Sequence, residues 1–309
     1  MTCGSLHARD ADHGAAARPF EAVNETAFID ALRSLATSPA ARGLEDDAAV
    51  LPFGSETLIL THDTMVEGVH TLDGQDPADI AWKLVAVNLS DLAAKGARPV
   101  GLLISHMLGD DDHRFVEGLR VVCAEYDVPL LGGDTVRSEG TRAWGCTAIG
   151  RATHVPVPSR SGALAGDAVY LGGPIGQALL GFEALRDGTG GDESAYCRPR
   201  PQLELGQSLA PHVSAMMDVS DGLLLDASRL ARASGVTLAL ETAGIAPLAP
   251  QGRLYEAMRW GDDYVLLATG PEGLESRYDL TRIGSVRNVA DHPLLLDGAA
   301  VTGKLGYTH

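Results

Sequence analysis

The chain has 309 residues, 45% of them hydrophobic, and a formal net charge of −17, which gives material for a large core and length for two domains. Its acidity and its three lysines, Lys83, Lys95 and Lys304, exclude a nucleic-acid surface, which is built from clustered Lys and Arg. No stretch approaches the roughly 20 apolar residues of a membrane span, and "MTCGSLHARDADHGAAARP" lacks the apolar centre of a signal peptide. The expected location is the cytoplasm, with residues 1–20 a disordered tail. Cys3, Cys123, Cys146 and Cys197 show no C-x-x-C pair and no zinc spacing, so they read as reduced structural thiols.

Taken in chain order, "NETAFIDALRSLA" spaces Phe28, Ile29, Leu32 and Leu35 as a first helix behind a possible Asn24 cap. "AAVLPF" and "TLILTH" follow, the second a strand that ends by presenting Asp63. Asp76 and Pro77 start a helix expected to reach Gly96. In that helix Leu84, Asn88, Asp91 and Lys95 share one stripe, while Ile80, Val87 and Leu92 face the core. "PVGLLISHML" is a strand, and "DDDHRFVEGLRVVCAEYD" a helix with Phe115, Leu119, Val122 and Tyr126 inward. "VPLLGGD" reads as a short buried strand and "RAWGCTAIGRA" as another.

The proline and glycine signals of "THVPVPSRSGALAG" place a domain boundary near residue 155, giving domains 21–155 and 156–309. Beyond it come the strand "DAVYLGG", the helix "PIGQALLGFEALRDG" and the loop "TGGDESAYCRPRP", without periodicity. "APHVSAMMDVSDGLLLDASRLARASG" passes from a strand into a helix closed by Gly235. "VTLALE", "WGDDYVLLAT", "TRIGSV" and "PLLLDG" add strands or hairpin pieces. Both halves mix helix and strand, with no repeat of 20 to 50 residues.

Four acidic sites share one pattern: "LEDDAAV", "LILTHDT", "LLGGDT" and "MMDVSDG". Each acid borders an apolar segment and precedes small or hydroxyl residues. Turn and cap chemistry accounts for any one of them. Several carboxylates converging from strand ends would repel one another unless cations lie among them. Oxygen ligands of this kind suit Mg2+ shared between carboxylates and substrate phosphates, which lets an acidic, lysine-poor chain hold a nucleotide triphosphate. "GAAVTGKL" has P-loop spacing, but Leu305 stands where the metal-binding hydroxyl is required. "LGGPIGQALLGF" lacks the dinucleotide fingerprint.

The blocks "EDDAAV", "DTMVEGVH", "NLSDLAAKGARP", "LLGGDT", "SRSGALAGDAVYLGG", "MDVSDGLLLD" and "GDDYVLL" resemble, in order and spacing, those of the thiamine-monophosphate kinase family, within the aminoimidazole ribonucleotide synthetase-like superfamily. The resemblance implies an α/β (α+β) fold of two domains, with mixed sheets packed with helices in each and a homodimer. It implies ATP- and Mg2+-dependent phosphorylation of thiamine monophosphate to thiamine diphosphate by direct transfer, without a catalytic nucleophile. By motif, Asp47, Thr61, Asp63, Asp91, Asp134, Asp218 and Asp221 are the expected metal ligands. Gly133, Asp134, Arg160 and Ser220 are expected to contact ATP, and His70 the acceptor.

Four positions depart from the family pattern. Glu45 replaces a glycine, His62 replaces a hydroxyl residue before Asp63, and Val265 stands in place of a glutamate. The sequence ends at "GYTH", where the family continues with an aromatic. Two alternatives follow: a degenerate ATP- and metal-binding protein with a weak or different acceptor, and a purine-pathway ATP-dependent synthetase. Selenophosphate synthetases, which carry a reactive N-terminal cysteine followed by a glycine-rich segment, and hydrogenase-maturation members, which end in a cysteine, are disfavoured; here the last cysteine is Cys197 and the last residue His309.

Overall fold

A computed structural model describes residues 25–137 and 139–308; the expected tail, Cys3 and the Asn24 cap lie outside them. The first part of the chain runs α1 (Glu25–Arg33), β1 (Ala49–Phe53), β2 (Glu56–Val66), α2 (Pro77–Ala94), β3 (Ala97–Met107), α3 (Asp112–Glu125), β4 (Leu130–Val136) and β5 (Ala143–Ala152). Its strands form one five-stranded sheet in the order β1-β2-β5-β3-β4. All pairs are antiparallel except β3 with β4.

The second part runs β6 (Ala168–Leu171), α4 (Gln177–Asp187), α5 (Ser194–Cys197), α6 (Leu203–Leu209), β7 (Ala215–Asp218), α7 (Leu223–Ser234), β8 (Thr237–Leu240), α8 (Thr242–Ile245), α9 (Leu254–Trp260), β9 (Leu266–Gly270), β10 (Thr281–Arg287), β11 (Leu294–Leu296) and β12 (Ala299–Ala300). These strands make a seven-stranded mixed sheet, β12-β11-β8-β10-β6-β9-β7.

Helix α2 holds the two parts together. Asp76 caps it, its carboxylate accepting from the Ala78 amide at 2.9 Å, and Pro77 occupies the first turn. The stripe that includes Leu84, Asn88 and Lys95 is as buried as the expected core positions Ile80 and Leu92. The expectation of one core face is therefore corrected. α2 lies between the first sheet and elements of the second part, Trp82 donating to the Pro199 carbonyl at 3.0 Å, and a helix covered on all sides buries every face.

Three more local readings change. Strand β2 continues through Asp63 to Val66, because antiparallel pairing with β5 runs to Val66–Ala143 and carries the polar residues along. β4 is exposed along its whole length, not buried, since it is the edge of its sheet. The loop "TGGDESAYCRPRP" contains α5 and buries Tyr196 and Cys197. One departure from the family pattern concerns backbone conformation. Glu45 has φ −115°, so no glycine is required there; the left-handed conformations fall on Arg42, Gly43 and Leu44 instead.

Helices α2 and α3 approach each other through Gly118, where a Cβ would come within 2.2 Å of the Ala78 carbonyl oxygen. Gly118→Ala is expected to destabilise the protein by about 1–3 kcal/mol through forced separation of the two helices, measured as a lower midpoint in urea unfolding.

Candidate active site

Four segments meet where the two sheets face each other across α2. Asp47 precedes β1, Thr61 and Asp63 lie on the α2-facing side of β2, Asp91 is on α2, and Asp218 ends β7. Carboxylate oxygens of Asp47, Asp91 and Asp218 all lie within 4.8 Å of one another. Hydroxyls tie the cluster down: Thr61 donates to Asp91, and Ser90 donates to Asp218 at 2.5 Å. The backbone N–H of Asp63 donates to Asn88 at 3.2 Å.

Burial raises Asp63, Asp91 and Asp218, and crowding of like charges adds to it. Desolvation is the main cause throughout. It raises Asp63 to about 6, with Asp47 and Asp221 adding repulsion. Asp218 rises to about 7, with Asp47 again adding to burial. Asp91 lies well above the usual range, pushed by burial and then by Asp63, Asp218 and Asp47. Hard oxygen donors brought this close, with proton affinity raised by their own repulsion, fit a divalent cation such as Mg2+.

Cations flank one end of the cluster. The fully buried Lys95 ammonium lies 2.6 Å from Asp47 Oδ2 and also pairs with Asp46. Its approach to Asp47 is a charge contact without hydrogen-bond alignment, and Oδ2 has no directed donor. Arg160 donates to Asp47 Oδ1. Arg42 binds Asp46 and the carbonyls of Pro158 and Val157 at 2.8 and 3.0 Å. Burial pushes Asp46 up, but Lys95 and Arg42 outweigh it and hold this carboxyl well below its usual range.

Two cavities open on either side of the acids. One, of about 570 Å³, is lined by Met65, Val69, His70, Lys83, Phe182, Tyr196, Trp260, Asp262 and Tyr307, among others. The other, of about 800 Å³, is lined by Ile29, Arg33, Leu44, Asp47, Thr61, Arg160, Arg229 and Arg232, among others. Asp63, Asp91, Asp218, Ser220 and Asp221 line both. The carboxylates are thus the common wall between an arginine-rich chamber and an aromatic one. In the second, Phe182 stacks against Trp260 and Tyr196 with ring centroids 4.9 and 5.4 Å away.

Most expected site residues converge here, and the exceptions are informative. Asp221 pairs with Arg229 rather than with the cluster; Asp226 accepts from the Ser220 and Asp221 amides at 3.1 and 3.0 Å and so shapes their turn. His70 lines the aromatic cavity, its Nδ1 accepting from the Val66 amide at 3.0 Å. Asp134 and Gly133 stand apart. Pairings Asp63–Cys146, Cys146–Ile104 and Ile104–Gly133 put three strand steps, about 14 Å, between Asp63 and this edge. Gly133 is needed where it is, because a Cβ would meet the Ile104 carbonyl oxygen at 1.9 Å.

The departing residues also find their places. His62 projects to the opposite side of β2 from Asp63 and bonds Thr147 at 2.8 Å. Val265 is buried in the apolar core of the second sheet, against Gly173. Tyr307 lines the aromatic cavity, and its backbone N–H donates to the Asp221 carbonyl at 2.9 Å. Sequence reasoning missed Lys83, Phe182, Tyr196, Trp260 and Asp262. Lys83 alone had a signal, since with Val87 and Asp91 it makes an i, i+4, i+8 row along α2.

The fold and the acid wall define a class. A family model described as AIR synthase related protein, N-terminal domain, matches residues 45–152. Within that class the chain belongs to the thiamine-monophosphate kinase family. The thiamine-monophosphate kinase of Caulobacter vibrioides is 38% identical over 256 residues, covering 80% of this chain and 69% of that one. That of Aquifex aeolicus is 30% identical over 310 residues, covering 93% and 98%. The solved structure of AaThiL complexed with AMPPCP and TMP superposes with a TM-score of 0.83 at 29% identity, covering 93% of this chain and 97% of that one.

The raised acids carry a pH signature in metal-free protein. A carboxyl with a folded pKa near 6 or 7 and an unfolded one near 4 keeps its proton longer when folded. Its contribution is complete below about pH 4 and is lost as pH rises through 6 and 7. Asp218→Asn, which mimics the protonated form, is therefore expected to gain Tm relative to the unsubstituted protein as pH rises from about 5 to about 8 in chelator. Thermal melts across that range check it; a constant gap would contradict the repulsion.

Proposed function

We propose that the chain transfers the γ-phosphoryl group of ATP directly to the phosphate of thiamine monophosphate, giving thiamine diphosphate. The observation that carries this is the pair of cavities meeting at one carboxylate wall. Two anionic phosphates must be brought in line, and chemistry of this type needs positioning and charge neutralisation rather than a protein nucleophile. Family membership and the AaThiL complex with AMPPCP and TMP support the same substrates.

ATP fits the arginine-rich chamber, where Arg160 and Ser220 reach its phosphates, and thiamine monophosphate fits the aromatic one beside His70. Mg2+ held by Asp47, Thr61, Asp63, Asp91 and Asp218, with Asp221 on a further ion, would neutralise the phosphates and polarise the transferring group. The protein itself orients the pieces: Thr61 and Ser90 aim two carboxylates, Lys95 and Arg160 hold Asp47 in place, and the aromatic wall offers faces to a cationic heterocycle. Residues 21–155 then form the metal, nucleotide and dimerisation domain and 156–309 the C-terminal domain of a cytoplasmic enzyme.

A homodimer accounts for the placement of Gly133 and Asp134. β4 is an open edge strand, and Leu103, Leu130, Leu131 and Val136 beside it are exposed, a surface that invites pairing with a second copy. That copy would bring its own Asp134 toward the cluster.

Incubation of purified protein with MgATP and thiamine monophosphate is expected to yield thiamine diphosphate; ATP binding by calorimetry with no product would favour the degenerate reading. Asp63→Asn and Asp134→Asn are expected to lower kcat by about 10³-fold or more, and Cys123→Ser to leave it unchanged. Leu131→Lys is expected to shift the mass in light scattering from dimer to monomer, with activity falling alongside.

A further inference from the structure

We infer that Lys83 is a positioning residue for the acceptor cavity, clamping together its two walls through a charge pair between its buried ammonium and the half-buried Asp262; this rests on the reading of the aromatic cavity as the acceptor site. Lys83 is 2% exposed and projects from α2, whereas Asp262 belongs to the turn Gly261–Tyr264 before β9. The ammonium lies 2.8 Å from Asp262 Oδ2, 3.5 Å from the His70 carbonyl oxygen and 3.8 Å from the centroid of the Tyr196 ring. The Tyr196 hydroxyl donates to that same carbonyl at 3.2 Å. One cation thus joins the loop that carries His70, the aromatic wall and the turn opposite.

The turn it holds is strained. Asp262 and Tyr264 both adopt left-handed backbone, at φ 57° and 51°, beside Gly261 at 99°, which side chains of this kind hold only when the surroundings impose it. Four hydrogen bonds do so. Tyr264 donates its hydroxyl to Asp262 Oδ1 at 2.9 Å, Asp263 accepts from the Gly176 amide at 2.8 Å, and the Asp262 and Tyr264 amides donate to Ser220 and Val219 at 2.8 Å each. With both oxygens of Asp262 engaged and Lys83 neutralised, the pair adds no net charge to the cavity. Its effect is on shape, by fixing His70 and Tyr196 against Asp262. Lys83 does not line the arginine-rich chamber, so nucleotide binding is not its task.

Steady-state kinetics with each substrate varied in turn test the clamp. Lys83→Met, which keeps the stem and removes the charge, is expected to raise KM for thiamine monophosphate about tenfold or more while KM for ATP stays within about twofold. Asp262→Asn reads the pair from the other wall and is expected to show the same split. Lys83→Arg restores part of the loss. The double variant Lys83→Met/Asp262→Asn is expected to lie closer to the unsubstituted protein than Lys83→Met does, because neither charge is left without its partner. Equal rises in both KM values, additive effects of the two changes, or no change in either would overturn the inference. If the unsubstituted protein forms no thiamine diphosphate, the reading of the cavity falls; the clamp then still stands or falls on non-additive Tm losses in the same cycle.

Discussion

Mutual repulsion among buried carboxylates is the constraint on which the rest of the molecule depends. Asp47, Asp91 and Asp218 have oxygens within 4.8 Å of one another, and each draws its place from a different element. Such a set is unfavourable on its own, and Asp91 and Asp218 rise above the usual carboxylate range through burial and the charge of their neighbours. The protein concentrates its scarce cations in response. Lys95 and Arg160 lie against Asp47, and Arg42 and Lys95 against Asp46. A chain of formal charge −17 places two of its three lysines inside, Lys95 against the buried carboxylates of Asp46 and Asp47 and Lys83 against the half-buried Asp262.

Helix α2 is the element that makes this arrangement rigid. Its residues Lys83, Asn88, Ser90, Asp91 and Lys95 are polar groups on a helix that is otherwise apolar and almost wholly buried. Each finds a partner across a different boundary: Asp262 and Asp218 in the second part of the chain, the Asp63 amide in β2, Thr61 on the same strand, and Asp46 before β1. A helix packed on every side cannot shift without moving both sheets. The same rigidity sets the distance between the arginine-rich chamber and the aromatic one.

The contrast between the two chambers follows from which elements wall them. The end of α1, the segment before β6 and the second half of α7 bring Arg33, Arg160, Arg229 and Arg232 to one side, whereas α4, α5 and α9 bring Phe182, Tyr196 and Trp260 to the other. In-line transfer between phosphates asks for this division, with a polar seat for the donor, an apolar seat for the acceptor's ring system and a shared floor of oxygen ligands. The open β4 edge keeps Asp134 apart from this floor, three strand steps from Asp63.

Much of this was legible in the order of residues. Asp76 and Pro77 announced α2, Gly235 closed α7, and the acids of "LEDDAAV", "LILTHDT" and "MMDVSDG", though not that of "LLGGDT", marked segments that converge, because caps and turns depend on neighbours in the chain. The family blocks named the chemistry for the same reason: motifs are local. What only the tertiary structure decided are the relations between segments. That Val265 faces the core, that His62 faces away from Asp63, that β4 is an exposed edge, and that Lys83 meets Asp262 across 179 positions all depend on packing between elements far apart in sequence. Neither periodicity nor motif spacing encodes such pairings, since they are selected by the shape and charge of surfaces that exist only once the chain is folded.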